Sequence, residues 1–282
     1  MYNTVLKFHM YNSILKLRST HYFNNVWRMI SPKIRRIIIY MIPNPAKVYG
    51  NAFFWDRKNF YFAPERLIFN DEIETYKTIK RILHEGQNFV DIGAHIGLFS
   101  IFAAKIVGDR GRVYAFEPHP ISYSLLKRNI KANKLANVAA FPYAISDGPG
   151  ERFLHLDERD AGESSIRPIK EASRMHRFKV QVTSLDQFFR EKCVSVNLIK
   201  MDIEGGELEA LGGMKLLARS NPGMKLIIEF NPNIQYTLGI EKSAFFAELR
   251  GLGFSEFTCL EHKQKGYDHN DPIEQPVNYL CE

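Results

Sequence analysis

At 282 residues, 45% of them hydrophobic and 24% charged, the chain has a globular composition with ample core material, including 21 Phe and 13 Tyr. Wholesale disorder and fibrous repeats are excluded, and the length suits one large domain or one domain with an appendage. The net charge of +7 is unevenly spread: residues 1–60 carry ten Lys/Arg against the single acid Asp56, leaving 28 basic and 30 acidic residues in 61–282. Nucleic-acid binding needs a basic face, and a near-neutral body supplies none, so no such partner is expected.

The basic arm, residues 1–50, is expected to be helical. Leu6, Met10, Ile14 and Leu17 recur at steps of four, four and three, opposite Lys7, Asn12, Lys16 and Ser19. Val26, Trp27, Ile30 and Ile34 continue the stripe, and Pro43 and Pro45 end it. Two readings stand side by side: a helix packed on the body or on a second subunit, or a basic amphipathic helix making peripheral contact with an anionic membrane through residues 1–45. The longest apolar run, Ile37 to Ile42, is six residues, against the ~20 of a spanning helix. Basic residues interrupt every stretch that a secretory signal would need. Cys193, Cys259 and Cys281 are widely spaced, without a CxxC pair. They argue against a disulfide framework or structural zinc, and for a cytoplasmic, reducing location.

From residue 51 the pattern is that of one domain running to 282. Ile68–Leu83 reads as a helix with Asp71 as its N-cap and Ile73, Tyr76, Ile79, Ile82 and Leu83 on one face. Then strands at Phe89–Ile92, Val113–Phe116, Val138–Ile145, Leu198–Met201 and Leu226–Phe230 alternate with helices at Leu98–Ile106, Ile121–Lys134, Leu208–Ala218 and Ala244–Leu252. Ser255–Leu260 and Val277–Cys281 close the chain as strands. Such alternation predicts an α/β fold, a mostly parallel central sheet with helices on both faces. Residues 150–185 depart from it: Glu151–Leu156 and Phe178–Val182 alternate with period two, an inserted β-hairpin joined by a polar loop around Gly162-Glu163-Ser164-Ser165.

Ligands of open parallel sheets bind beyond the carboxyl ends of the strands. The first such end is Asp91-Ile92-Gly93-Ala94-His95-Ile96-Gly97. Its glycines are spaced GxxxG, not the GxGxxG of a dinucleotide fold; His95 stands where a pyrophosphate would need glycine, and Asp91 repels phosphate. The second, Phe116-Glu117-Pro118, places an acid where it can accept both hydroxyls of a ribose. Small apolar residues at the third, Tyr143-Ala144-Ile145-Ser146-Asp147, can line an adenine. The fourth is Lys200-Met201-Asp202-Ile203-Glu204-Gly205-Gly206-Glu207. Glu207 reads as a helix cap. Asp202 and Glu204, with Glu229 at the next strand end, can form a general-base or divalent-cation site, with Asp202 the leading base and no resident metal expected.

Together these motifs resemble the FkbM family of S-adenosylmethionine-dependent methyltransferases, a Rossmann-like class I fold; Thr183-Ser184-Leu185-Asp186 adds a fifth match, in order, over residues 86–260. The resemblance implies S-adenosylmethionine as cofactor, held by Asp91, Gly93, Ala94, His95 and Gly97 around its methionine part. It puts Glu117 and Pro118 at the ribose, Ala144 and Ile145 at the adenine, and Asp202 between cofactor and acceptor. It further implies O-methyl transfer to a small-molecule or glycan acceptor, such as a glycolipid or secondary metabolite. An NAD-dependent oxidoreductase and a non-catalytic, membrane-associated scaffold are the alternatives. Oligomeric state stays open.

Overall fold

A computed structural model describes residues 44–48, 50–55, 73–157, 160–166, 175–192, 194–261, 273 and 275–282. The expected arm stripe, and Asp71 with the first turn of its helix, lie outside the described residues. The described part opens with a hairpin of β1 (Ala46–Val48) and β2 (Asn51–Phe53). There follow α1 (Ile73–Ile82), β3 (Asn88–Ile92), α2 (Leu98–Val107), β4 (Arg112–Phe116), α3 (Pro120–Ala132) and β5 (Val138–Phe141). Four strands come next: β6 (Tyr143–Ile145), β7 (Gly150–Asp157), β8 (Asp160–Ser165) and β9 (Met175–Thr183). Then come α4 (Leu185–Phe189), β10 (Leu198–Met201), α5 (Glu207–Gly212), α6 (Lys215–Ser220) and β11 (Lys225–Phe230). The last elements are α7 (Pro232–Thr237), α8 (Lys242–Gly251), β12 (Phe257–Cys259) and β13 (Val277–Cys281).

Seven strands form the central sheet in the order β12-β13-β11-β10-β3-β4-β5, with β13 antiparallel to both its neighbours. The strands are short apolar runs because both faces are covered. Val90, Ile92, Ile199, Met201, Leu226 and Ile228 pack with Leu185, Ala210, Leu217, Phe245 and Phe246 of α4, α5, α6 and α8. On the opposite face Phe89, Val113, Leu198 and Ile227 meet Ile79 of α1 and Phe99, Ala103 and Val107 of α2. Strand order reverses at β3, which is flanked by β4 on one side and β10 on the other. This places the ligand crevice of an open α/β sheet at the carboxyl ends of those three strands. The fold is the Rossmann-like class I arrangement.

Four expectations need correction. The strand expected over 138–145 is two: Pro142 separates β5, in the central sheet, from β6, which leaves it. The inserted hairpin is part of a second sheet of order β6-β9-β7-β8. Its β7–β9 pair matches the expected hairpin, with Leu154 opposite Phe178, but the polar Gly162–Ser165 stretch is edge strand β8 and not a loop. The helix expected over 208–218 is broken into α5 and α6 at Gly213, where a Cβ would lie 2.1 Å from the Ser146 carbonyl oxygen. The β1–β2 hairpin was not foreseen and spans the expected boundary after residue 50.

Candidate active site

The turn after β3 is built by close backbone approach. Gly93 adopts φ +77, and a Cβ there would stand 1.9 Å from the Asp202 carbonyl oxygen, so only glycine lets the turn pass the end of β10. Gly93 and Ala94 donate their N–H groups to the Phe116 carbonyl at 3.1 and 2.9 Å, tying the turn to β4. His95 follows at φ +51, a left-handed conformation uncommon outside glycine. That twist aims its N–H at Glu117 Oε2, 2.7 Å away. Glu117 Oε1 accepts from the His119 N–H at 2.8 Å. Glu117 is buried, and burial above all pushes its pKa up to about 7, against the two main-chain donors. His119 caps α3 through Nδ1 and packs edge-on against Phe178 of the inserted sheet; burial lowers its pKa to about 4, which keeps the ring neutral. Pro118 is half-buried between them.

Asp91, the penultimate residue of β3, is buried. Its Oδ2 accepts from Ser100 Oγ of α2, while Oδ1 has no hydrogen-bond partner. Burial raises its pKa first; Lys200, its register partner across the sheet, works in the other direction. Lys200 is the only buried lysine or arginine among the described residues, and its Nζ lies 3.0 Å from Asp202 Oδ2. A cation thus pairs with Asp202 and acts electrostatically on Asp91 at the adjacent strand end.

Asp202, Glu204 and Glu229 come together: one oxygen of each lies within 4.8 Å of the others, and all three residues are half-exposed. Two of them follow β10 and the third lies in β11, so the expected cluster is assembled by strand adjacency. Glu204 has φ +53, a strained backbone for a non-glycine residue. Glu207 holds it there, accepting from the N–H groups on either side of it, Ile203 at 3.0 Å and Gly205 at 2.9 Å. Gln235 of α7 donates to the same carboxylate at 3.1 Å. Glu207 is therefore a buried loop anchor as well as the first residue of α5, with its pKa pushed up to about 7 mainly by burial.

The other sequence candidates are set further back. Gly97 adopts φ +96 at the start of α2. Ala144 packs with Leu154, Val180 and Val182 of the inserted sheet, and Ile145 lies in the main core, so what they offer an adenine is the main chain at a strand end. Ser184 caps α4, and Asp186 accepts from the Leu216 and Leu217 N–H groups at the start of α6; that motif is structural. Sequence reasoning missed Asn129 of α3, fully buried, which donates to the Ile96 carbonyl behind the glycine turn and bonds both the N–H and the carbonyl of Phe54. An asparagine on the apolar face of an amphipathic helix was the available signal.

These residues fit S-adenosylmethionine. The bare Asp91 oxygen beside a glycine turn suits a cationic amino group, and the Glu117 oxygens, each with a second lone pair, can accept ribose hydroxyls. Residues 91–261 match the methyltransferase FkbM domain family. "Methyltransferase 1" of Beauveria bassiana (strain ARSEF 2860) is 27% identical over 143 residues, 44% of this chain and 57% of that one. "Methyltransferase sdnD" of Sordaria araneosa is 29% identical over 154 residues, 44% of this chain and 59% of that one. The chain thus matches somewhat over half the length of these relatives. The solved structure of M. jannaschii TYW2 in complex with AdoMet is similar at TM-score 0.43 and 18% identity, over 85% of both chains. The family match takes in the glycine turn, Glu117 and the whole carboxylate cluster: the chain belongs to the FkbM methyltransferase family, whose cofactor is S-adenosylmethionine.

Proposed function

We propose that this chain moves a methyl group from S-adenosylmethionine to a hydroxyl oxygen of a small-molecule acceptor, of the glycan, glycolipid or secondary-metabolite class. The observation that carries the reading is the carboxylate trio of Asp202, Glu204 and Glu229, half-exposed beside the glycine turn. When bound, the cofactor supplies an electrophilic methyl on a positively charged sulfur. A hydroxyl has a pKa far above 7, so its attack needs a proton acceptor in place as the new bond forms. Lys200 holds Asp202 in one orientation, Glu207 fixes the backbone at Glu204, and β11 brings in Glu229. Such fixed placement is what an in-line transfer demands. The acceptor class rests on the family resemblance.

The test is turnover with labelled S-adenosylmethionine against a panel of hydroxylated glycans and lipids, with the methyl position read by tandem mass spectrometry. The methyl is expected on oxygen. Among Asp202→Asn, Glu204→Gln and Glu229→Gln, the variant lacking the base should lose about 10²–10⁴-fold in turnover while keeping S-adenosylhomocysteine affinity. Methylation at nitrogen or carbon, or three variants at wild-type rate, would contradict the reading. Loss on chelation that magnesium restores would reassign the trio to a metal ion.

A further inference from the structure

Although the near-neutral body was expected to offer no basic face, helix α3 turns a row of cations to solvent. Lys127, Arg128 and Lys131, with Lys134 just past the helix end, are all exposed. With Ser124 and Ile121, itself 37% exposed, the helical members fall on one face at helical spacing. From Pro118 to Ser146 the sequence has four Lys/Arg and no Asp or Glu. Rings position two of the cations: Lys127 Nζ lies 4.6 Å from the centre of Tyr123, and the Arg128 guanidinium 3.7 Å from that of Phe54. None of the four pairs with a carboxylate among the described residues.

The other side of the same helix fixes what stands beside the row. Asn129 bonds the main chain of Phe54, and Asn133 bonds both the N–H and the carbonyl of Ala52. The β1–β2 hairpin is thereby bound to α3, and it carries an exposed Lys47. Residues 1–43, which lead into that hairpin, hold seven Lys/Arg and no acid. The fold therefore ties Lys47, the register partner of Ala52, to the α3 row through Ala52 and Asn133, 81 positions apart in sequence.

We propose that the exposed face of α3, with Lys47 on the hairpin that α3 anchors, docks the protein on an anionic lipid surface. The proposal is independent of the methyl-transfer reading. The cations lie along the exposed face of one helix, whereas tracking a single-stranded phosphate backbone calls for a basic groove with stacking aromatic rings. The row also begins with an exposed isoleucine, Ile121. Apolar groups beside cations suit the headgroup region of a bilayer. Each cation near such a surface is worth about fivefold in partitioning.

The experiment is co-sedimentation of the full chain with vesicles of phosphatidylcholine alone or mixed with phosphatidylserine, at about 0.1 M and about 0.5 M salt. Wild-type protein is expected to bind only the mixed vesicles and to leave them at high salt. Lys127→Gln/Lys131→Gln/Lys134→Gln should bind about a hundredfold more weakly, while the matching Arg variant binds as wild type. The milder Lys131→Gln/Lys134→Gln pair should lose about 25-fold, which keeps the test decisive if the triple variant folds poorly. Undiminished binding by both Gln variants would overturn the proposal, as would equal binding to neutral vesicles. So would tighter binding of a single-stranded oligonucleotide than of the mixed vesicles, which would assign the row to nucleic acid.

Discussion

Glu117 carries two demands that pull its proton in opposite directions. Its pKa in the fold, about 7, lies above the ordinary 4.5 because burial disfavours the charge. A group with a raised folded pKa contributes stability that is complete below its unfolded value and is lost as pH rises through the folded one, here between about 4.5 and about 7. Ribose hydroxyls, by contrast, donate best to the ionised carboxylate. S-adenosylhomocysteine affinity is therefore expected to rise from pH 6 to 8, by up to about tenfold per unit below pH 7, and Glu117→Gln should flatten the profile. A flat wild-type profile in calorimetric titration would contradict this. The position of Glu117 was legible from its spacing after the glycine turn. Its two N–H donors were not, because one depends on the left-handed backbone at His95, for which the sequence carries no glycine signal. Glu207 was half legible: as a first-turn acid it reads as a cap, but its reach back around Glu204 depends on how Gly205 bends the loop.

At the scale of elements, the stitching of α3 to the β1–β2 hairpin and the glycine turn runs through the Asn129 side chain. Asn129 satisfies the Phe54 N–H at 2.7 Å, the Phe54 carbonyl at 3.2 Å and the Ile96 carbonyl at 2.9 Å from a fully buried position. Asn129→Ala strands all three groups and is expected to destabilise the fold by about 2–4 kcal/mol, measured by denaturant unfolding. A loss below about 0.5 kcal/mol would mean that water replaces the side chain. Long, strongly periodic elements such as α2 and α3 were legible to within two residues of their ends. The inserted sheet was not. Its edge strand β8 is polar, as edges often are, and polar runs read as loops. Pro142 broke a strand that hydropathy alone left continuous. Helix α7 was missed although Asn231 at the cap and Pro232 after it gave the start signal; it is only six residues long, too short for a periodic stripe.

The whole molecule makes its site by topology. Asp91, Glu117, Asp202 and Glu229 are spread over 139 positions of sequence, yet they stand at or near the carboxyl ends of four consecutive strands of one sheet, β11-β10-β3-β4. Strand order was not legible from periodicity, which gives elements and not neighbours; the motifs at the strand ends supplied what periodicity lacked. The crevice at these strand ends is the place for S-adenosylmethionine. The most direct test of that assignment is calorimetric titration of the full chain with S-adenosylhomocysteine and, in parallel, with NADH, each repeated on Glu117→Ala. S-adenosylhomocysteine is expected to bind saturably, about tenfold or more weakly after the substitution, and NADH to give no heat. Binding of NADH with silence from S-adenosylhomocysteine would contradict the assignment.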